Sequence, residues 1–554
     1  MTPEAKAREH IDRQLSHAGW VVQDLSQLNL GAAAGVAVRE YPTDTGPADY
    51  VLFVDRAAVG VIEAKRADAG QNLTVAETQT ERYASSRVKW RKDATPLPFL
   101  FEATGHITHF TDTRDPFPRA REIFHFFQPA TQAVWLAQPN SLRQRLKAQM
   151  PTLPERNLRQ CQVSAVTGLE ASLAANKPRA LVHMATGAGK TFTAITSVYR
   201  LLKFGGAQRI LFLVDTRNLG RQAHQEFMAY TPPDDGRLFT ELYNVQRLSS
   251  SAIDPQAQVV ISTIQRMYSV LSGEPIDDSA DDVSLNEVQQ TAAQAKRVAY
   301  NPAVPIETFD FIVIDECHRS IYNLWKQVLD YFDAFLIGLT ATPDKRTYGF
   351  FQENVVAEYS YEQSVVDGVN VGYDVFLIET DITQKGATLE AREWVDHRDR
   401  QTRAKRWQQT EDDTPYTGKE LDRSVVNLSQ IRQVIQAMKT AVETKIFPTR
   451  AEVPKTLIFC QNRQPRRRHH QSRARGLRPR QRLLQKSHLQ GHRRHRQHPQ
   501  QLPQRVLPPH RRHRRHDRHR HRCQAARGIA LHARCTQPGL LRADERPGRA
   551  QPGL

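Results

Sequence analysis

Cysteine is scarce in this sequence, and its few copies form neither a metal-binding pattern nor a disulfide framework. No two cysteines are separated by just two residues, and the five are Cys161, Cys317, Cys460, Cys523 and Cys535. Scattered thiols are typical of a reducing compartment and argue against a disulfide-stapled secreted protein. The chain also lacks an apolar run near the ~18 residues that a membrane helix needs. Its first residues, "MTPEAKAREH", lack the apolar core of a signal peptide. We therefore expect a soluble cytoplasmic protein without membrane segments.

Phenylalanine, tyrosine and tryptophan are absent from residues 465–554, a stretch that also contains a single isoleucine, Ile529. These residues carry 24 arginines and one lysine against three acidic residues, and 12 of the 21 histidines. They hold all of the excess positive charge, because residues 1–464 have a net charge of −4 within a chain of +18. Such a composition cannot bury a core, so we expect this stretch to be disordered.

The first 150 residues contain a predicted helix and a predicted β-hairpin. The helix is "TPEAKAREHIDRQLSHAGW", whose apolar face is formed by Ile11, Leu15 and Ala18. The segments "ADYVLFVD" and "AVGVIEAKR" predict two strands joined by the turn "RA". Asp49 opens the first strand, while Glu63 and Lys65 close the second and point to one face. The hairpin can therefore bring two carboxylates and an ammonium group together.

This trio has the chemistry of a phosphodiester hydrolysis site. Asp49 and Glu63 supply hard oxygen ligands for Mg²⁺, helped by the carbonyl of Ala64. Lys65 would orient or deprotonate the attacking water and offset the developing charge. The alternative is that all three are solvated charges at the ends of strands.

A feature downstream favours the catalytic interpretation. The segment "QTERY" places Gln79 and Tyr83 four residues apart on one helical face. An Asp, a strand ending in ExK and a following QxxxY helix resemble the PD-(D/E)xK nuclease superfamily in its RecB-like branch. The resemblance implies that Gln79 and Tyr83 belong to the catalytic site, and Glu9 on the first helix is a further candidate carboxylate.

The segment "ALVHMATGAGKTFTAITSVYR" has the pattern of a strand, a glycine loop and a helix. The glycines let backbone N–H groups close around phosphate oxygens at a helix N-terminus. Lys190 would reach the β- and γ-phosphates of ATP, and the Thr191 hydroxyl would bind Mg²⁺. Met184 replaces the first glycine of the common phosphate-loop pattern, and the remainder resembles the loop of superfamily 2 helicases. The predicted nucleotide contacts are Thr186, Gly187, Ala188, Gly189, Lys190 and Thr191.

The second half of an ATPase site follows in "FDFIVIDECHRS", an apolar strand that ends in acidic residues. Asp315 would bind Mg²⁺, and Glu316 would position or activate the hydrolytic water. His318 completes the segment and is a further candidate at the ATP site. The alternative, a polar loop that merely ends a strand, does not explain the phosphate loop upstream.

Further segments follow in the order found in helicases. Gln162 in "LRQCQVSAV" stands where helicases of this type read the adenine edge. "RILFLVDTRNLGRQA" resembles motif Ia, which implies a DNA contact for Arg217, and "VVISTIQRMY" resembles motif Ic, with Thr263 at a DNA phosphate. "LIGLTATP" resembles motif III, where Thr340 and Thr342 link the ATP site to the DNA track. Apolar strands alternating with helices predict an α/β fold, a RecA-like parallel sheet covered on both faces.

A PD-(D/E)xK nuclease preceding a DECH-type helicase resembles the R subunit of type I restriction enzymes, which moves and cuts DNA. The resemblance implies ATP and Mg²⁺ as cofactors, double-stranded DNA as substrate, and specificity (S) and methyltransferase (M) subunits as partners. One alternative is a stand-alone superfamily 2 DNA helicase or repair ATPase whose first domain is only structural. Another is a type III restriction subunit, although its nuclease usually lies at the C-terminal end. A third is a nucleic-acid-binding protein that uses the basic stretch.

The segment "KTLIFCQNRQPRRRHH" changes character within a few residues. "TLIFC" predicts the buried first strand of a second RecA-like domain, yet no β/α pattern follows it. When synonymous codons for "HRRHRRHDRHRHRCQA" are read one base later, they can give "IAVTVDMIATGTDVKP", which resembles helicase motif V. The same shift turns "LLRADERPG" into "YFEQMNGRG", which resembles motif VI. We interpret this as a frameshift at or just before Arg463 that removes the second lobe and its arginine finger, leaving the motor inactive.

Four domains are predicted on these grounds. Residues 1–150 form the nuclease-like domain, and residues 151–360 form the first, ATP-binding RecA-like domain. Residues 361–464 are a connector and the start of a second RecA-like domain. Residues 465–554 are an out-of-frame, disordered basic tail.

Overall fold

The structure is a computed structural model that describes residues 3–44, 46–65, 96–273, 297–319, 326–378 and 428–449, with short segments at 387–389, 394–398, 405–409, 414–416, 452, 456–458 and 529–531. The chain divides into two compact units, Met1–Asn370 and Val371–Leu554. Within these described ranges, no helix is both long enough and apolar enough to cross a membrane.

The first unit begins with a helix and a mixed seven-stranded sheet. Helix α1 spans Pro3–His17, and the predicted apolar face of Ile11, Leu15 and Ala18 is buried. The described strands follow one another across the sheet in chain order: β1 (Val21–Asp24), β2 (Gly35–Thr43), β3 (Gly46–Val54), β4 (Ala57–Ala64), β5 (Phe99–Ala103), β6 (Thr108–Asp112) and β7 (Arg121–Ile123). β1 runs parallel to β2 and β4 parallel to β5, whereas the other neighbours are antiparallel.

The predicted hairpin is confirmed as β3 and β4, with a turn one residue earlier than expected. Asp55 and Arg56 connect the strands and have φ values of +47° and +70°. Two successive residues with positive φ make the two-residue turn that matches the twist of the flanking strands. Because β4 ends at Ala64, Lys65 directly follows the strand.

Two helices, α2 (Pro129–Ala137) and α3 (Leu142–Ala148), lie between this sheet and a second one along the chain. The second sheet contains β8 (Arg179–Met184), β9 (Ile210–Val214), β10 (Val245–Arg247), β11 (Val259–Thr263), β12 (Phe311–Asp315), β13 (Phe335–Thr340) and β14 (Val355–Tyr359). Its order is β10-β11-β9-β12-β13-β8-β14, and every neighbouring pair is parallel. The helices of this part are α4 (Gln160–Ala174), α5 (Lys190–Lys203), α6 (Arg217–Ala229), α7 (Phe239–Leu242), α8 (Ile264–Ser272), α9 (Lys326–Tyr331), α10 (Lys345–Phe350) and α11 (Tyr361–Val366).

The parallel sheet is covered on both faces, as its apolar strands predict. Along β12, Ile312 and Ile314 belong to one buried cluster, while Phe311 and Val313 belong to another. Successive side chains of a strand point to opposite faces, so a strand that is apolar at every position must be covered twice. The mixed α/β architecture with a parallel, helicase-like sheet is therefore confirmed.

The two sheets of the first unit share apolar core. The cluster that contains Ile312 also contains Tyr50 of β3, Phe101 of β5 and Phe110 of β6. The opposite face of the first sheet packs a smaller cluster of its own, which includes Val51. The hydrophobic effect therefore holds the first sheet against the second as well as within itself.

In the second unit, the described elements are the helix α12 (Leu428–Ala441), a π-helical turn at Val442–Ile446 and three two-stranded sheets. The sheets pair β15 (Ala387–Leu389) with β18 (Thr414–Tyr416), β16 (Trp394–Arg398) with β17 (Lys405–Gln409), and β19 (Thr456–Ile458) with β20 (Ile529–Leu531).

The strand predicted at "TLIFC" is confirmed for Thr456–Ile458, but the prediction that it is buried is wrong. Leu457, at the centre of β19, is 64% exposed. A two-stranded sheet of three residues each offers too little surface to cover it. Of residues 465–554 the structure describes Ile529–Leu531 as a strand. The predicted frameshift at Arg463 and the rest of the predicted disordered tail lie outside the described residues.

Candidate nuclease and nucleotide sites

The three predicted nuclease residues meet at one end of the β3–β4 hairpin. Asp49 Oδ2 accepts a hydrogen bond of 2.8 Å from the backbone N–H of Ala64, the residue between Glu63 and Lys65. Lys65 Nζ donates to Glu63 Oε1 at 2.9 Å. Their side chains are 14%, 7% and 24% exposed for Asp49, Glu63 and Lys65. These contacts and this burial argue against three separate solvated charges.

The electrostatics of the pair favour a cation between the two carboxylates. Burial raises the pKa of the Glu63 carboxyl, the hydrogen bond from Lys65 opposes that shift, and the negative charge of Asp49 adds to it. The repulsion disappears when a positive charge lies beside both groups. Asp49 already has a positive partner of its own, because Arg8 Nη2 of α1 lies 2.5 Å from Asp49 Oδ1.

The donor set fits Mg²⁺, which commonly takes one or two protein carboxylates and completes its shell with water and substrate phosphate. Asp49 and Glu63 would be those two ligands, and the Arg8 contact indicates that Asp49 Oδ1 is open to a cation. Across the described part of the chain, no group of three or more His, Cys, Asp or Glu side chains is arranged to hold a metal. The candidate site therefore relies on two carboxylates.

The phosphate loop has the backbone geometry that its glycines predict. Gly187 and Gly189 have φ values of +84° and +90°, a region that only glycine enters without strain. A Cβ atom on Gly189 would lie 2.4 Å from Gln162 Nε2. Gly189 is the N-cap of α5, so Lys190 begins a helix whose first N–H groups can bind phosphate. Lys190 Nζ lies 3.7 Å from Glu316 Oε1, which joins the loop to the acidic segment.

The remaining loop residues complete the same turn. Ala188 is buried, Thr186 is exposed and Thr191 is half-buried at the start of α5. Gln162, on α4, is buried, and both ends of its amide are bonded. Its Oε1 accepts from the Arg159 N–H at 2.9 Å, and its Nε2 donates to the Ala188 carbonyl at 3.3 Å. Gln162 thus supports the loop, while its adenine contact stays a prediction.

The acidic segment lies at the carboxyl end of β12, next to the loop. Burial raises the pKa of Asp315 to about 6; the charge of Glu316 adds to the shift and that of Lys190 opposes it. Glu316 has φ +50°, a left-handed conformation that is strained for a residue with a side chain. Its backbone N–H donates to Asp315 Oδ1 at 3.1 Å. Strain of this kind is characteristic of functional sites.

A short chain of contacts joins this segment to the predicted motif III. His318 Nδ1 lies 2.9 Å from Thr340 Oγ1, which also accepts a hydrogen bond of 3.1 Å from the Thr342 N–H. Thr340 is fully buried at the end of β13, and burial lowers the pKa of His318. The structure brings these three residues together, and their coupling role stays a prediction.

The predicted DNA contacts lie at helix starts. Arg217 is the first residue of α6, and Thr263 precedes α8. Thr263 is 6% exposed, and its Oγ1 accepts a hydrogen bond of 3.2 Å from the Arg266 N–H. Sequence reasoning missed this helix-capping role. Gln79 and Tyr83 lie outside the described residues.

Two charged residues near the carboxylate pair were also missed. Arg8 lies three and seven residues before Ile11 and Leu15, a helical spacing that could have placed it beside the buried face. Glu9, which we singled out instead, is exposed. Glu102 of β5 is buried and pairs in register with Glu63, yet the apolar run "FLFEA" gives no signal for it.

Comparisons with known proteins find similarity to restriction enzyme subunits. Residues 155–345 match the family model of the type III restriction enzyme res subunit, and residues 32–132 match the second domain of the type I restriction enzyme EcoKI endonuclease subunit. The EcoKI endonuclease subunit of Escherichia coli strain K12 is 27% identical over 529 residues, covering 82% of this chain and 42% of that protein. The chain is similar to the endonuclease subunits of type I restriction enzymes. The EcoAI endonuclease subunit of Escherichia coli is also 27% identical, over 397 residues, 66% of this chain and 41% of that subunit. The chain thus spans less than half the length of these type I subunits.

The likenesses to solved structures are weaker than those to the curated sequences. A fragment of an HsdR subunit of a type I restriction enzyme from Vibrio vulnificus YJ016 has 17% identity and a TM-score of 0.35, covering 86% of this chain and 74% of the fragment. The UvsW helicase from bacteriophage T4 has 18% identity and a TM-score of 0.22, covering 37% of this chain and 59% of the helicase.

Proposed function

We propose that this chain is the motor and cleavage subunit of a type I restriction enzyme, acting on double-stranded DNA with ATP and Mg²⁺. The observation that carries the proposal is the convergence of Asp49, Glu63 and Lys65 beside a shared core with the phosphate-loop sheet. A domain with only a structural role in a helicase would not need two part-buried carboxylates and a lysine at one strand end. The PD-(D/E)xK nuclease assignment of residues 1–150 and the RecA-like assignment of residues 151–360 are parts of this proposal.

At the nuclease site, Asp49 and Glu63 hold a Mg²⁺ ion, which supplies Lewis-acid stabilisation of the phosphate. Lys65, held 2.9 Å from Glu63, orients the attacking water and offsets charge on the scissile phosphate. Gln79 and Tyr83 complete the site in this proposal. The low exposure of Glu63 strengthens each of these interactions because water screens them less.

At the nucleotide site, the loop from Thr186 to Thr191 binds the phosphates of ATP, with Lys190 at the β- and γ-phosphates. Thr191 and Asp315 hold the accompanying Mg²⁺, and Glu316 positions the hydrolytic water. The Lys190–Glu316 contact of 3.7 Å supports this assignment, because both side chains then face the γ-phosphate. His318, Thr340 and Thr342 transmit the state of this site to DNA held by Arg217 and Thr263.

We propose that full activity needs a second RecA-like lobe, which a frameshift near Arg463 would remove. The second RecA-like lobe would supply an arginine finger, and removal of such a finger costs roughly 10³–10⁵ in rate. We therefore propose that the 554-residue product binds ATP without appreciable turnover. Sequence recognition and methylation come from S and M subunits in the cytoplasm, where the R subunit joins them.

A pair of substitutions tests the proposal in a copy whose reading frame is restored across codons 455–475. Lys65→Ala should abolish cleavage of a plasmid carrying the recognition site while DNA-stimulated ATP hydrolysis stays within about twofold, because the sites are separate. Lys190→Ala is the matched control and should abolish both activities. Cleavage that survives Lys65→Ala would favour the alternative, a helicase with a structural first domain.

A further inference from the structure

The acidic edge of the hairpin carries a cation that the proposed chemistry does not use. Arg8 of α1 places Nη2 2.5 Å from Asp49 Oδ1 and Nη1 2.8 Å from Glu40 Oε1. The Arg8 side chain is 40% exposed, whereas Asp49 is 14% exposed. The guanidinium thus covers Asp49 Oδ1, while Asp49 Oδ2 accepts the hydrogen bond from the Ala64 N–H.

Contacts from several elements hold Arg8 beside Asp49, and the ion pair is partly exposed. Helix α1 is anchored by buried Ile11 and Leu15. The hydroxyl of Tyr50, fully buried in β3, donates to Asp12 Oδ1 at 2.9 Å and lies 3.3 Å from the Arg8 carbonyl oxygen. Glu40, which holds the other half of the guanidinium, has φ +46°, in the left-handed region that residues with side chains rarely adopt. The fold therefore sustains an unfavourable backbone conformation next to this contact.

The charges on Asp49 and Glu63 are balanced by different partners. Lys65 neutralises Glu63, and Arg8 neutralises Asp49. A divalent cation between the two carboxylates would bring two further positive charges against the guanidinium on Asp49 Oδ1. Like charges at such distances repel strongly where burial limits screening. The guanidinium and the metal therefore compete for one oxygen.

We propose that Arg8 is the resident counterion of Asp49, which a divalent cation must displace, and that Arg8 thereby raises the metal concentration needed to load the cleavage site. The inference rests on the proposed function in one respect, namely that Asp49 and Glu63 bind the metal. It concerns a positioning residue that lies outside the Asp, ExK and QxxxY pattern.

Manganese binding to the full 554-residue chain tests this without any need for catalysis. Electron paramagnetic resonance measures free Mn²⁺ during a titration in the absence of nucleotide, and Asp49→Asn identifies the site by its loss. Arg8→Met keeps most of the aliphatic stem and should tighten Mn²⁺ binding roughly two- to fivefold, as expected when a partly exposed ion pair is removed. Arg39→Met is the matched control, because Arg39 pairs with Asp12 and Asp24 in the same groove. It should bind Mn²⁺ as the unaltered chain does.

The outcomes distinguish failure of the proposed metal site from failure of the proposed role of Arg8. If Asp49→Asn removes a Mn²⁺ site but Arg8→Met leaves its affinity unchanged or weakens it, Arg8 is not a competitor and only this inference fails. If Asp49→Asn changes nothing, the metal site of the proposed nuclease fails together with the inference. Should Arg8→Met not fold, Arg8→Lys keeps the charge without the two-pronged geometry and should still tighten binding, by a smaller factor. Unchanged affinity in Arg8→Lys would then overturn the proposal.

Discussion

At the residue scale, the nucleotide site keeps a buried carboxylate at the expense of stability. The pKa of Asp315 is raised to about 6, above the ordinary value of 3.8, because burial disfavours its charge. The folded chain therefore binds this proton more tightly than the unfolded chain. By linkage, the stabilising effect of protonated Asp315 is fully present below pH ~4 and is lost as the pH rises through about 6.

Replacing the carboxylate by its neutral isostere should reveal this cost. At ~1.4 kcal/mol per pKa unit, we expect Asp315→Asn to raise the free energy of unfolding by about 3 kcal/mol at pH 7.5. The gain should be smaller at pH 5, where the unaltered group is largely protonated. Urea unfolding at the two pH values measures this, with Glu9→Gln on the exposed face of α1 as control. A loss of stability at pH 7.5 would contradict the electrostatic account.

The positions of candidate site residues were predictable where they follow an apolar run near the end of a strand, as Asp315 follows "FIVI" and Glu63 follows "VGVI". A strand end fixes where such a side chain lies, so chemistry can be inferred from chain order. The Arg8–Asp49 contact was not predictable in this way, because 41 residues separate its partners. It depends on how α1 packs across β3, which is decided by the core and not by the local pattern.

At the scale of elements, the type of each element, helix or strand, was easier to predict than the residues at which it begins and ends. Runs such as "ILFLV" have the length and branching of buried strands, and the structure confirms them. The hairpin turn shifted by one residue because Asp55 and Arg56 both take positive φ, which the sequence "VDRAA" does not signal. Neither residue is the asparagine or glycine that such a turn favours.

The turn therefore offers a stabilising double substitution. Asp55→Asn with Arg56→Gly matches the residue preferences of a two-residue turn with positive φ. We expect it to raise the free energy of unfolding by about 1 kcal/mol, since each strained residue costs on the order of 1 kcal/mol. Chemical denaturation gives the difference, and unchanged Mn²⁺ binding at Asp49 would show that the strand ends have not moved. Reduced stability would mean that the Asp55 and Arg56 side chains make compensating contacts.

At the scale of the whole first unit, the two seven-stranded sheets belong to one compact unit and contact each other. Arg121 of β7 binds Asp333, which precedes β13, through two hydrogen bonds of 2.8 Å. The Gln128 N–H donates to Glu307 Oε1 at 2.7 Å across the same boundary. A cavity of about 570 Å³ lies along this boundary and is lined by both partners of the ion pair. The sequence predicted separate domains at residues 1–150 and 151–360. In the structure, these two parts share polar contacts as well as an apolar core.

The contacts across this boundary predict that the two sheets unfold cooperatively. Arg121→Ala removes both hydrogen bonds from Asp333 and leaves only the charge of Arg143 to compensate it, so the cost should approach the ~3–5 kcal/mol of a broken buried pair without exceeding it. The double variant Arg121→Ala with Asp333→Ala removes both charges and should be less destabilised than the single variant. Thermal unfolding of the first unit is followed by tryptophan fluorescence and by loss of nucleotide binding. In the unaltered protein the two transitions should occur at the same temperature. Arg121→Ala should lower both transition temperatures by the same amount. If the nucleotide-binding transition stays in place while only the other shifts, the two sheets unfold independently. The ion pair would then be a contact between separate domains, and the nuclease-like part could be studied without the motor.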